Sequence, residues 1–336
     1  MAGALGALAF WRIDPNRLLA CLGDVRPALL PLILLSLASL YALRALRWAW
    51  LLRPLRRLSV REVLPALMVG GLGDQCLPAH LGEILRVWAI HHEHRLSVAA
   101  VVSTIVLERL LDVLSIFALF AAVLPFLPAF PEIRILGGIA VGLGGFGMAV
   151  LLILCAASAW SGRWQLTLQG ALRLLPCRVR ARATDALHAA LAGLAVLRSP
   201  RKLAVLLGLS LLQWIANSLV LYFTAASLSP AGSGLPVEAA LLLTVAVVLG
   251  GLLPTAPGYL GTMQFCFVVA LSPFGIPQER AIVASLYAIV VGSFPVVMVG
   301  GYYLLRLRSR LRPKGVAGRS VAVSASLDTA GPVPLS

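Results

Sequence analysis

Apolar positions in this chain run in long blocks, not in the alternating or one-in-three patterns of a soluble core. The main blocks are Pro27–Tyr41, Ile135–Ala159, Leu203–Leu228 and Val237–Leu253. About twenty consecutive apolar residues cross a bilayer as a helix. The pattern therefore predicts an all-α, polytopic membrane protein with about five full spans. These are Ala28–Leu52, Ser97–Phe126, Ile135–Ala159, Leu203–Leu228 and Glu279–Leu305.

Two segments break the pattern. Glu62–Ile90 contains VGGLGDQCLPAHLGE, and Val237–Pro273 contains VLGGLLPTAPGYLGTMQF. Each begins as a helix, meets glycines and prolines, and resumes within a length too short for two crossings. If each turns back midway, every basic loop falls on one side of the membrane, so both read as re-entrant helix pairs. Irregular backbone survives at that depth only inside protein or along a wet cavity. The chain then divides into a short N-terminal segment, 1–27, a transmembrane domain, 28–306, and a tail, 307–336, basic and then disordered. Within the domain, a first half (28–130) and a second half (203–306) flank a span and a basic loop, 160–202. With one span between them the halves are inverted relative to each other. Paired interruptions at matching positions of two halves point to a transporter's binding site.

Composition sharpens this reading. Only 12% of residues are charged, against about 25% in soluble domains, which argues against a soluble catalytic domain. The net charge of +15 does not point to nucleic acid, because the arginines cluster at the ends of apolar blocks. There they act as topology signals and predict cytoplasmic basic loops and a cytoplasmic C-terminus. In the loop 160–202, Leu187, Leu191 and Leu194 share one helical face, which predicts a helix on the membrane surface. The five cysteines lack CxxC spacing, so neither a disulfide framework nor a zinc site is expected. His91–His94 reads HHEH in a basic loop with no second ligand set, and no metal is expected there. GLGGFG, Gly142–Gly147, lies inside an apolar span with no strand before it and reads as close helix packing. No GxxxxGK[ST] or GxSxG occurs, and no cofactor is expected.

Candidate chemistry concentrates in two stretches. In LPAHLGEILR (Leu77–Arg86), Glu83 and Arg86 are spaced to share a helix face. In TIVLERLLDVLS, Glu108, Arg109 and Asp112 lie on adjacent faces of one helix. Charges at this depth need partners or a wet cavity. One reading is a polar pocket in which Arg86 and Arg109 hold a phosphate. The helix start after Pro78 and Gly82 would aim free N–H groups at the same anion. Glu83 and Glu108 would orient arginines, bind an amine or hydroxyl, or take up a proton. The other reading is a structural salt-bridge network with no ligand.

Together with RALRWAWLLRP (Arg44–Pro54), LERLLDVLS (Leu107–Ser115) and LLPTAPGYLGTMQ (Leu252–Gln264), these stretches resemble the lysylphosphatidylglycerol synthase transmembrane region family of flippase-like integral membrane proteins. The resemblance covers about Leu30–Leu305. It adds Arg47 and Gln264 to Glu83, Arg86, Glu108, Arg109 and Asp112 as candidate substrate-binding residues. It also matches Pro78, Gly82, Pro254, Pro257, Gly258 and Gly261 as structural breakpoints. It implies movement of a polar-headgroup lipid (a phospholipid, hopanoid or glycolipid) across the inner membrane, without catalysis. The partners implied are membrane lipids and lipid-biosynthesis proteins. Two departures stand out. Gln264 occupies a position where relatives carry glutamate, so a role there cannot rely on charge. Residues 1–27 do not form the further N-terminal span of relatives. No aminoacyl-transferase domain is present in the sequence. Two rival readings remain: a membrane-embedded transferase acting on a lipid phosphate, with Glu83 or Glu108 as base, and a non-catalytic scaffold of a lipid-synthesis complex.

Overall fold

A computed structural model describes residues 15–77, 81–126, 131–159, 177–229, 234–251 and 259–311. These residues are helical, with no strand among them. In chain order the helices are α1 (Pro15–Gly23), α2 (Leu30–Leu52), α3 (Val60–Cys76), α4 (Gly82–His94), α5 (Val98–Val123), α6 (Pro131–Ala159), α7 (Cys177–Gly193), α8 (Pro200–Ala226), α9 (Val237–Gly251), α10 (Thr262–Leu271) and α11 (Gln278–Leu311). Among the described residues, four stretches are long and apolar enough to cross a membrane: Pro27–Leu52, Gly137–Ala156, Pro200–Ala226 and Gln278–Ser309. The fifth expected span, α5, has 26 residues, or about 39 Å of helix, but carries Glu108, Arg109 and Asp112 in its middle. Large apolar side chains such as Phe146 (70% exposed) and Leu305 (68%) point away from the bundle, as lipid-facing positions do.

Both interrupted segments double back. Gly70 lies against Arg86 and Gly73 against Gly82, so α3 and α4 run antiparallel from the turn between them. Pro78 lies in that turn, outside the described residues. In the second segment the Cys266 thiol donates to the Ala246 carbonyl at 3.2 Å, and Gly250 packs on Cys266 and Thr262. Hence α9 and α10 are also antiparallel, around a turn whose Pro254, Pro257 and Gly258 lie outside the described residues. At 17, 13, 15 and 10 residues, these helices reach only about 15–26 Å, less than the roughly 30 Å of a hydrocarbon core. This is the geometry the re-entrant reading requires.

The hairpins enter from opposite ends. Arg56 Nη1 donates to the His94 carbonyl at 3.1 Å, joining the end of α2 to the base of the first hairpin. One core cluster gathers Leu52, Val63, Leu96, Val196 and Leu307 there, beside Arg56, Arg61, Arg95, Arg201 and Arg306. This is the basic end. At the other end Arg280 donates to the Leu228 carbonyl and pairs with Asp24 at 3.1 Å, and Arg26 Nη2 donates to the Ser229 carbonyl. The second hairpin starts and finishes there, packed into a core of Phe120, Trp214, Leu243, Phe267 and Ala281.

Close helix approach explains the small residues. A Cβ on Gly144 would meet the Phe117 ring of α5, which bears out the packing reading of GLGGFG. The helix expected on the membrane surface, α7, packs on the bundle. Its last residue, Gly193, sits against the Ser103 side chain and Ala100 carbonyl of α5, where a Cβ would collide. Of the leucine stripe, Leu194 packs against the core cluster at the basic end. His91 and His92 donate Nδ1–H to the Leu96 and Trp88 carbonyls, at 2.7 and 3.0 Å, and so help finish α4.

The first hairpin depends on Gly82, whose missing Cβ makes room for the Gly70 carbonyl and the Asp74 carboxylate. Overpacking of this kind costs about 1–3 kcal/mol. Gly82→Ala is expected to lower the thermal midpoint of the protein in detergent, read by tryptophan fluorescence. Gly138→Ala, whose Cβ meets nothing within 4 Å, should leave it nearly unchanged.

Candidate functional site

Six of the seven predicted substrate-site residues meet in one network between α2, α4 and α5. Arg47 is wholly buried. It donates from Nη1 to Asp112 Oδ1 at 2.5 Å and from Nη2 to Glu108 Oε1 at 2.9 Å. Nη1 also reaches the Ser210 hydroxyl of α8 at 2.9 Å. Arg86, on the first hairpin, donates to Glu108 Oε2 at 2.7 Å. Its guanidinium stacks 3.6 Å from the centre of the Trp48 ring. Glu83 pairs with Arg109 at 2.9 Å and lies 3.8 Å from Arg86. Arg109 also lies 3.5 Å from Asp112.

Three guanidiniums thus face three carboxylates, and the cluster is neutral as a unit. Neutrality and mutual hydrogen bonding are what allow charge at this depth. The two inner arginines are paired with buried carboxylates, while Arg109 keeps 57% of its side chain exposed and Glu83 keeps 29%. Exposed apolar neighbours, Val102, Val106 and Ile84, flank this pair, so a polar slot faces sideways from the bundle. The space inside the cluster is about 40 Å³, room for a water molecule and not for a phosphate. Asp74 packs on Gly82 at the start of α4, so a carboxylate of the protein itself occupies the neighbourhood of that helix start.

Gln264 stands apart from the network. It is 1% exposed, and its Oε1 accepts the Gly261 N–H at 2.6 Å. Gly261 holds φ +85°, a conformation that glycine adopts without a steric penalty, and α10 begins at the next residue. Gln264 therefore fastens the turn of the second hairpin. An amide oxygen accepts this bond as a carboxylate would.

Sequence reasoning missed three supports of the network. These are Ser210, Trp48 and Trp214, whose Nε1–H donates to Asp112 Oδ1 at 3.1 Å. It also missed a larger cavity of about 260 Å³ between the hairpin tips. Tyr41, Arg44, Asp74, Asn217 and Tyr259 are among its walls. The i, i+3 spacing of Tyr41, Arg44 and Arg47 on α2 was the available signal. A further cavity, about 350 Å³, opens at the basic end between α3, α4 and α11, beside Arg61, His94 and Arg306. Among the described residues, no group of three His, Cys, Asp or Glu side chains is placed to hold a metal ion.

The family model described as lysylphosphatidylglycerol synthase TM region matches residues 1–300. The chain belongs to that family. The match reaches further toward the N-terminus than the motifs from Leu30 onward indicated. No curated protein matches the chain.

Removing one partner of a buried ion pair costs about 3–5 kcal/mol, because the other charge is left unpaired. Arg47→Met is expected to destabilise the protein by about that much, and Arg109→Met by clearly less, since each carboxylate near Arg109 keeps another arginine within 4 Å. Adding Asp112→Leu to Arg47→Met should recover a large part of the loss, because Glu108 keeps Arg86. Chemical denaturation of the purified protein in mixed micelles measures all three.

Proposed function

We propose that this member of the lysylphosphatidylglycerol synthase TM region family is a lipid transporter that moves a polar-headgroup lipid between leaflets of the inner membrane. The observation that carries the reading is the attachment of the first hairpin to α5. Arg86–Glu108 and Glu83–Arg109 are the ties, and the outer tie is exposed at the side of the bundle. A headgroup bearing a phosphate competes with Glu83 for Arg109, so arrival of the lipid loosens one tie. The inner pair then holds or releases the hairpin as a unit. The second hairpin, entering from the opposite end, serves as the matching gate of an inverted half. Polar cavities at the basic end and at the hairpin tips, about 350 and 260 Å³, supply stations along the route, while the lipid tails stay in the bilayer. The basic end faces the cytoplasm under the charge rule.

A transport role rather than catalysis fits the chemistry of the network. Glu108 is enclosed by Arg47 and Arg86, which leaves it poorly suited to accept a proton from a substrate. Movement is therefore downhill or coupled to an ion gradient through the outer pair.

Proteoliposomes carrying headgroup-labelled anionic and zwitterionic lipids test the reading. Wild-type protein should move at least one class faster than empty vesicles. Glu83→Gln loses a charged hydrogen bond of about 1.5–3 kcal/mol and should change the rate about tenfold or more. Phe146→Ala, on the lipid-facing side of α6, should leave it unchanged. Equal rates for wild type and Glu83→Gln would remove the gate. A lipid of new mass in membranes containing the protein would replace transport with a transferase.

A further inference from the structure

We infer that the cavity between the hairpin tips and an apolar groove beside it form one lipid site. The cavity takes a phosphodiester headgroup that bears a hydrogen-bond donor, and the groove takes one hydrocarbon chain. The inference rests on the transport reading above and deepens it by assigning the substrate's place and class.

The cavity combines opposite charges from two elements. Arg44 projects from α2 and Asp74 from the tip of the first hairpin. A guanidinium binds a phosphodiester. A carboxylate beside it accepts from a hydroxyl or an ammonium group, and has nothing to accept from a trimethylammonium group. Thr262 of α10 adds a built polar position. It is 2% exposed, lines the cavity, and its hydroxyl has no hydrogen-bond partner among the described residues. Buried hydroxyls nearly always find one, and a headgroup oxygen in this cavity would supply it. Tyr259, in the same wall, holds φ +59°. A non-glycine residue keeps that conformation only where its surroundings impose it, often at ligand sites.

The groove lies next to the cavity and shares Leu37 and Tyr41 with it. Its volume is about 160 Å³, and its other walls include Leu34, Ala38, Met68, Val296 and Val299. Leu34 and Val299 are 42% and 40% exposed, so the groove opens to the hydrocarbon side of the bundle. A helix, about 10–12 Å across with its side chains, does not fit this volume; a single extended chain does. Tyr41 stands where polar and apolar spaces join, as an amphipathic ring does at the junction of a headgroup and its tail.

The test uses the full chain in phosphatidylcholine vesicles. Phosphatidylglycerol or phosphatidylcholine probes carry a photoreactive diazirine in one acyl chain, and adducts are mapped by peptide mass spectrometry. The phosphatidylglycerol probe should label Met68 and residues 295–299 about tenfold more than the lipid-facing residues 146–153 of α6. The phosphatidylcholine probe should show about tenfold less of this enrichment, given the worth of a charged hydrogen bond. Asp74→Asn should narrow the difference between headgroups. Val296→Trp should abolish the enrichment, with Val299→Trp at the groove's exposed rim as a second filler should the first fail to fold. Equal labelling of both faces, or enrichment that survives both tryptophans, overturns the groove. Equal enrichment of the two probes overturns the headgroup assignment. The same vesicles are assayed for translocation. Translocation without groove labelling overturns this site and leaves transport standing, whereas groove labelling without translocation leaves the site and removes transport.

Discussion

Everything in this fold is arranged around one arginine that water cannot reach. Arg47 sits at the crossing of α2, α5 and α8, and its guanidinium meets Glu108, Asp112 and Ser210. An isolated charge at that depth is untenable, so its position forces the other choices. Two carboxylates must stand one turn apart on α5. One of them, Glu108, retains capacity for a second cation, and Arg86 brings the first hairpin to it. The hairpin's placement is thus an electrostatic consequence of the bundle's own core. Trp48 and Trp214 then fit the two ends of the network with a ring face and an indole N–H.

Packing follows the same economy. Where the chain must turn inside the bundle, side chains are removed. Gly70, Gly73 and Gly82 let α3 and α4 touch backbone to backbone, and Gly250 admits the Cys266 thiol. Long spans pack against these short helices, α11 against α3 and α10, and α8 against α9. Contact of α2 with α8, through Ile33, Leu37 and Val220, joins the first long span to the third.

The legible parts of the sequence were those set by local spacing. Apolar block lengths, interrupted segments and the Glu108–Asp112 stripe are properties of short windows, and each found its counterpart in the structure. Arg47 was harder, because it stands in a row of arginines that otherwise mark a membrane face. Only its partners, 61 and 65 residues away, separate it from them. The resemblance supplied it where spacing did not. Gln264 was grouped with the substrate residues, yet it closes a turn locally. The central cavity was invisible for a different reason: Arg44, Asp74, Asn217 and Tyr259 come from four segments that meet only when both hairpins are in place. The stripe on α7 shows the converse limit, since an apolar face reads alike whether lipid or protein covers it.

The turn held by Gln264 has a bearing on how the two hairpins differ. An amide has no proton to gain or lose, so the Gly261 bond is indifferent to acidity on either side of the membrane. The first hairpin is held instead by charges, with Glu83 and Arg86 of α4 paired to Arg109 and Glu108 of α5. The protein therefore carries two arms of similar shape and unlike fastening: one closed within its own turn by a neutral amide, the other tied to the bundle by ion pairs.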